Sequence, residues 1–147
     1  MQEREIHNIL VPVDSSKTAE RAFDYALQMA QLFGARIHLL YVAKAEYMSS
    51  PDYIVHTRDA SDDTSPLKEK GAQVLARLMK KVPEGVEVKE SLLLGVPEIM
   101  ISLTAEDEEP DMIIMGTSGR NDFATMFVGS VSYYTIHHVK CPVMLIK

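Results

Sequence analysis

The sequence alternates short apolar, β-branched runs with amphipathic segments, and this alternation constrains the fold more than any other feature. The first run extends from Ile6 to Val13 and ends at Asp14-Ser15-Ser16, which is typical of a buried strand followed by a helix start. From Ala19 to Phe33 the apolar residues follow i, i+3, i+4, i+7 spacing, and Gly34 then offers a helix stop. Strands that alternate with helices predict a parallel sheet covered on both faces.

Further strand-like runs occupy residues 37–42, 86–94, 112–115 and 142–146. Helices are predicted to begin near Ser65-Pro66, Val96-Pro97 and Gly129-Ser130, because proline and hydroxyl residues favour the first helical positions. The predicted order is therefore β-α-β-α-β-α-β-α-β, in a single domain spanning residues 1–147. Residues 45–64 are polar and irregular, and a stretch of that length without structure is typical of a lid or of disorder.

Composition excludes several classes of protein. The net charge of -6 argues against nucleic-acid binding through a broad basic surface, because such binding neutralises phosphates. The single cysteine, Cys141, rules out an internal disulfide and favours a reducing compartment. The charged N-terminal residues lead into a run that Pro12 and Asp14 interrupt, so we expect neither a signal peptide nor a membrane span. The expected location is the cytoplasm.

Two predicted strand-to-helix junctions carry residues suited to a ligand. Open parallel sheets bind ligands beyond the carboxyl ends of their strands, where the strand order reverses. One junction is 12–16, and the other is 116–120 with Gly129-Ser130 further on. The glycines allow close backbone approach, and the helix start offers free N–H groups and a positive dipole end for phosphate. The polar side chains available at the second junction are Thr117, Ser118, Arg120, Ser130 and Ser132.

These residues also admit other interpretations. Each glycine or serine alone is more typical of a turn or cap, but the spaced set is expected by chance in only about 1% of chains. The P-loop and the dinucleotide fingerprint are absent from the sequence. A serine-hydrolase elbow would need glycine where Arg120 stands. Asp14 remains open between capping the first helix and binding a ligand.

The spacing G-x2-G-x9-G-[ST], after the strand Asp111–Met115, resembles the ATP-binding branch of the universal stress protein family. Further matches lie at Ile9–Ser16, at Tyr41-Val42 and at Cys141–Ile146, so the resemblance covers nearly the whole chain except 45–64. It implies a Rossmann-like, open five-stranded parallel sheet of order 3-2-1-4-5, with helices on both faces and an adenine-nucleotide site.

The resemblance also implies roles for individual residues. Asp14 would hydrogen-bond the ribose or the adenine, and Pro12, Val13 and Val42 would line the adenine pocket. Magnesium or manganese would bridge the phosphates of ATP, and Asp122 would place a negative charge near them. The phosphates and ribose would be held by Gly116, Gly119, Gly129 and Ser130, with Arg120, Val131 and Ser132; Ser15, Met115, Thr117 and Ser118 complete the predicted site.

The implied strand order leaves predicted strands 3 and 5 at the edges. Strand 3 carries charges that protect an edge, whereas strand 5 (Val143, Met144, Leu145, Ile146) is apolar and favours a homodimer through that edge. The leading functional hypothesis is an ATP-binding regulator of a stress response with an unidentified protein partner. The alternatives are a slow ATPase, which would be weak because no general base is evident beside the loop, and an interaction module without nucleotide.

Overall fold

A computed structural model describes residues 3–44, 55–56, 65–117 and 128–147. Strands and helices alternate along these ranges as the apolar pattern predicts. The elements are β1 (Asn8–Val13), α1 (Lys17–Phe33), β2 (Arg36–Lys44), β3 (Val55–His56), α2 (Ser65–Met79), β4 (Val88–Gly95), α3 (Pro97–Glu108), β5 (Met112–Gly116), α4 (Ser130–His138) and β6 (Val143–Ile146).

The strands form one sheet of order β3-β4-β2-β1-β5-β6. Five of them run parallel, and their order confirms the predicted arrangement 3-2-1-4-5. The short strand β3 was not predicted. It lies within 45–64 and pairs antiparallel with β4, with Val55 opposite Leu94. Two residues are too few for a periodic pattern, so only the open edge of β4 defines this strand.

Several predicted boundaries differ from the structure; β1, for example, begins at Asn8 and not at Ile6. The third predicted strand was expected to begin at Val86, but β4 begins at Val88. The cause is a turn at Gly85, which has a φ of 88°, and the N–H of Val86 donates to the carbonyl of Pro83 within it. Ser65 was expected to cap the second helix from outside, whereas α2 already includes Ser65.

Helix α1 begins and ends at the predicted residues. The Ser16 side chain accepts a hydrogen bond from the N–H of Ala19 at 3.1 Å, which caps the first turn. Gly34 takes a left-handed conformation with a φ of 66°, and its N–H donates to the carbonyl of Ala30. A side chain at position 34 would be strained in this conformation, so glycine ends the helix cleanly.

The core consists of two layers, one on each face of the sheet. Helices α1 and α2 cover one face, where Phe23 and Leu78 are completely buried in the same core cluster as Ile9 and Val11 of β1. The opposite face of β1 presents Leu10 to the α3 side, as the alternation of side chains along a strand requires. Within the described ranges, no helix has the length and apolar character needed to cross a membrane.

Candidate functional site

The strand order reverses between β1 and β5, which are neighbours at the centre of the sheet. Ile9 pairs with Met112 and Leu10 pairs with Ile113. From β1 the chain continues to β2 on one side, and from β5 it continues to β6 on the other. The two predicted junctions therefore leave the sheet side by side, at the position where such folds bind ligands.

Gly116 brings the second junction into direct contact with helix α1. A Cβ atom built on Gly116 would lie 2.8 Å from Oγ1 of Thr18, 2.9 Å from the Thr18 carbonyl carbon and 3.0 Å from the Ala19 nitrogen. Any side chain here would collide with the backbone of the first turn of α1. Gly116 is therefore required for packing against the N-terminus of α1, and its predicted contact with phosphate stays a prediction.

Hydrogen bonds hold the two ends of the loop between β5 and α4 together. The N–H of Gly129 donates to the carbonyl of Thr117 at 2.6 Å, and the N–H of Thr117 donates to the carbonyl of Ile146 at 2.9 Å. The hydroxyl of Ser132, which is buried, donates to the carbonyl of Gly116 at 2.7 Å. The predicted site residues Ser118, Gly119 and Arg120 lie outside the described residues.

Helix α4 begins directly after the hydrogen-bonded base of this loop. Gly129 is its N-cap, with φ of -61° and ψ of 160°, and offers no side-chain oxygen to the first turn. The N–H groups of Ser130 and Val131 therefore start the helix without a side-chain cap at its positive dipole end. The Ser132 hydroxyl donates to the carbonyl of Gly116 at the base of the loop, and its predicted contact with phosphate stays a prediction.

The first junction, between β1 and α1, carries the carboxylate of Asp14. The Oδ1 atom of Asp14 accepts a hydrogen bond from the N–H of Ser16 at 2.8 Å, and the Asp14 side chain is exposed. Since Ser16 caps α1, Asp14 shapes the turn before the helix and is not the cap itself. Asp14 is exposed at the carboxyl end of β1, where the predicted ligand would lie.

The predicted apolar residues gather at the same end of the sheet. Pro12 and Val13 are buried at the end of β1, and Met115 is buried near the end of β5. Val13 pairs with Tyr41, so Val42 lies one residue beyond the end of β1 on the neighbouring strand. These residues thus lie at the carboxyl end of the sheet, with Val13 in the core layer of α1 and α2 and with Val42 and Met115 in the layer on the opposite face.

A hydrogen-bonded chain away from the switch point was missed by sequence reasoning. His38 of β2 bonds through Nδ1 to Glu108 of α3 at 2.6 Å and through Nε2 to Ser91 of β4 at 2.8 Å. Lys89 donates to the other oxygen of Glu108 at 3.1 Å. Burial raises the pKa of Glu108, but the hydrogen bonds from His38 and Lys89 outweigh it and hold the pKa below its usual value.

These hydrogen bonds tie the last turn of α3 to the sheet. Ser91 lies in the middle of β4, well before the carboxyl end of the strand where the two junctions meet. The partners of His38 are 53 and 70 residues away in sequence, so no local spacing reveals them. Only the packing of α3 over β2 and β4 makes them neighbours.

The architecture and the switch-point junctions together define an open, Rossmann-like α/β protein. The family model of the universal stress protein family matches residues 5–147, and the chain belongs to that family. One relative is the universal stress protein MJ0531 of Methanocaldococcus jannaschii, 31% identical over 141 residues, covering 95% of this chain and 81% of that protein.

Solved structures agree with this assignment. The universal stress protein UspA from Lactobacillus plantarum has a TM-score of 0.80 and 27% identity, covering 99% of this chain and 100% of that one. The universal stress protein from Archaeoglobus fulgidus in complex with dAMP has a TM-score of 0.65 and 23% identity, covering 98% and 100% of the two chains. At that identity the second likeness shows the shared fold.

Proposed function

We propose that this protein binds ATP at the switch point and acts as a nucleotide-dependent regulator in a stress response. One observation carries the proposal: Gly116 packs against the first turn of α1, and the start of α4 is hydrogen-bonded to the same junction. Gly129 donates to the carbonyl of Thr117, and Ser132 donates to the carbonyl of Gly116. The starts of α1 and α4 therefore lie at one end of the sheet. Ser16 caps α1, whereas α4 has no side-chain cap and can attract phosphate through its N–H groups and dipole.

The residues around this end suit the remaining parts of the nucleotide. Pro12, Val13 and Val42 offer an apolar wall for the adenine, in the roles that the family resemblance implies. Asp14 offers an exposed carboxylate oxygen to the ribose hydroxyls or to the base. The universal stress protein from Archaeoglobus fulgidus in complex with dAMP supports the proposal, because it shares this fold.

A divalent ion fits the same donor set. The Ser130 hydroxyl is a hard oxygen donor, the type that magnesium and manganese prefer, and such ions are held largely by the phosphates themselves. Among the described residues, no group of three or more His, Cys, Asp or Glu could hold a metal alone. The ion would therefore enter with ATP and neutralise phosphate charge.

The test begins with the protein as purified. Denaturation followed by mass spectrometry should release an adenine nucleotide, and calorimetry on the emptied protein should show ATP binding in the presence of magnesium. GTP should bind at least tenfold more weakly if the wall at Val42 selects adenine. Absence of released nucleotide together with no measurable ATP binding would refute the proposal.

Substitutions at Asp14 separate its two roles. Asn keeps the oxygen that accepts the N–H of Ser16 but removes the charge, whereas Ala removes both. We expect Asp14→Asn to retain the melting temperature and to lose about tenfold in ATP affinity, since a hydrogen bond to a charged group contributes about 1.5–3 kcal/mol. Asp24→Asn, which changes an aspartate on α1 away from the junction, is the matched control and should keep full affinity.

Hydrolysis is the weaker candidate activity, and one assay decides it. If the bound ATP acts only as a regulatory ligand, released phosphate should not exceed one equivalent per protein over hours. Turnover that disappears in Asp14→Ala and Gly119→Val would instead assign a slow ATPase. A chain that binds no nucleotide but still captures a partner would assign the interaction module.

We also propose a homodimer through β6. This strand pairs with β5 on one side, and its residues Val143–Ile146 are only partly buried. Helix α4 covers the sheet face on which Val143 and Leu145 pack, and it exposes Tyr133 and Ile136. Light scattering should give the mass of a dimer at micromolar concentration. Ile136→Asp should shift it to monomer, whereas Leu67→Asp on the distant helix α2 should not.

A further inference from the structure

A second cleft lies at the opposite end of the sheet from the switch point. It has a volume of about 1010 Å³ and opens between the C-terminal ends of α3 and α4, with the segment before β1 forming its third side. Ile99 and Leu103 of α3, Val139 after α4 and Met112 at the start of β5 give it apolar walls. A cavity of this size accommodates a small organic molecule.

One wall of the cleft is a rigid aromatic pair. The rings of Tyr134 and His138 stack with centroids 3.7 Å apart and an interplanar angle of 8°. The Nδ1 atom of His138 donates to the carbonyl of Tyr134 at 2.8 Å, since a carbonyl oxygen only accepts. Aromatic ring faces attract organic cations.

The charges around the cleft are predominantly negative. Five carboxylate residues line it, against two permanently cationic residues, Arg4 and Lys140. Helices α3 and α4 both end here, at Glu108 and His138, so the negative ends of two helix dipoles point toward it. The two ends of the sheet therefore differ in the sign of their helix-dipole charge. The helix N-termini at the switch point attract anions, and the helix C-termini here attract cations.

We propose that this cleft binds an amphipathic organic cation, an amine or quaternary ammonium group carried on a hydrocarbon or aromatic body. The apolar walls take the body of the ligand, and the charged head lies near Glu106 and Glu109 at the end of α3. Low-dielectric walls around a negatively charged rim concentrate positive ligands. The proposal is independent of nucleotide binding, which uses the other end of the sheet.

Titration of the full-length ¹⁵N-labelled protein with three octyl probes below their micellar concentrations tests this site. Octyltrimethylammonium should bind at least tenfold more tightly than octanesulfonate, with octyl glucoside between them. The amide shifts should centre on Leu103, Tyr134 and Val139, and 0.5 M salt should weaken cation binding about threefold or more, because exposed charges are screened at that ionic strength. Equal affinity for the cationic and anionic probes would overturn the proposal.

Neighbouring carboxylates provide matched variants. Glu106→Gln with Glu109→Gln should lower cation affinity about fivefold or more and leave octyl glucoside binding unchanged. Asp107→Asn removes one negative charge between these two positions at a residue that does not line the cleft, so it should have little effect, whereas Glu106→Gln alone should weaken cation binding. An equal loss in Asp107→Asn, shifts centred elsewhere, or displacement of the cation by ATP would each refute a separate cationic site.

Discussion

Gly116→Ala tests the contact on which the candidate site depends. The new methyl group would meet the backbone of Thr18 and Ala19 at 2.9 and 3.0 Å, and the Thr18 hydroxyl at 2.8 Å. Carbon atoms pack best at about 3.5–4.0 Å, so α1 must move by about half an ångström or more. A side chain can rotate away from such a collision, but the backbone of a capped helix cannot.

The expected effect follows from two opposing contributions. Overpacking of a well-packed contact costs about 1–3 kcal/mol. Replacing glycine in a strand returns about 0.5–1 kcal/mol by restricting the unfolded chain. The difference is about 0–2.5 kcal/mol, and because the collision is with helix backbone we expect Gly116→Ala to lower the free energy of unfolding by about 1–2 kcal/mol. For a domain of this size, that change lowers the melting temperature by about 2–8 °C.

Urea unfolding and calorimetry of a double-mutant cycle with Thr18→Ala would measure this effect. If the backbone collision dominates, Thr18→Ala should rescue less than half of the loss, because it removes only the hydroxyl contact. A Gly116→Ala protein as stable as wild type would refute the assigned role of this glycine. Complete rescue by Thr18→Ala would show that the side chain alone is responsible.

Three further predictions follow from other contacts. Hydrogen bonds from Lys81 and Arg77 lower the pKa of Glu20. The stabilisation by Glu20 is therefore present above the ordinary carboxyl pKa and is lost as the pH falls through the lowered pKa. Glu20→Gln should lower the free energy of unfolding by less than about 1 kcal/mol at pH 7, and urea titrations should show the difference between variant and wild type disappearing below about pH 4. Asp111 accepts the N–H groups of His7 and Asn8 at 2.8 Å each; Asp111→Ala should lose about 1–3 kcal/mol, and hydrogen exchange should accelerate at those two amides, with Asp107→Ala as the control. A Cβ on Gly71 would lie 2.6 Å from Leu92 and 2.7 Å from Tyr41; Gly71→Ala should destabilise despite its gain of about 1 kcal/mol in helix propensity, and calorimetry should show recovery when Leu92→Val is added.

The predicted site was only partly accessible to sequence reasoning. Glycine spacing and the start of α4 indicated a loop that could hold phosphate, and the structure places both beside the β1 junction. The pattern did not reveal that the Ser132 hydroxyl donates to the carbonyl of Gly116, or that Ser16 and not Asp14 caps α1. Those choices depend on distances between side chains and backbone that spacing cannot supply.

The sequence by itself determined the alternation of strands and helices, the helix stop at Gly34 and, through the family pattern, the order of five parallel strands. These features follow from local periodicity and from residues with restricted or unusual backbone freedom, so they can be recognised within a short window. Tertiary structure alone decided the pairing of β3 with β4, the chain from His38 to Glu108, and the contact of Gly116 with α1. Each joins residues far apart in the chain, and such contacts exist only after the sheet and its covering helices have packed.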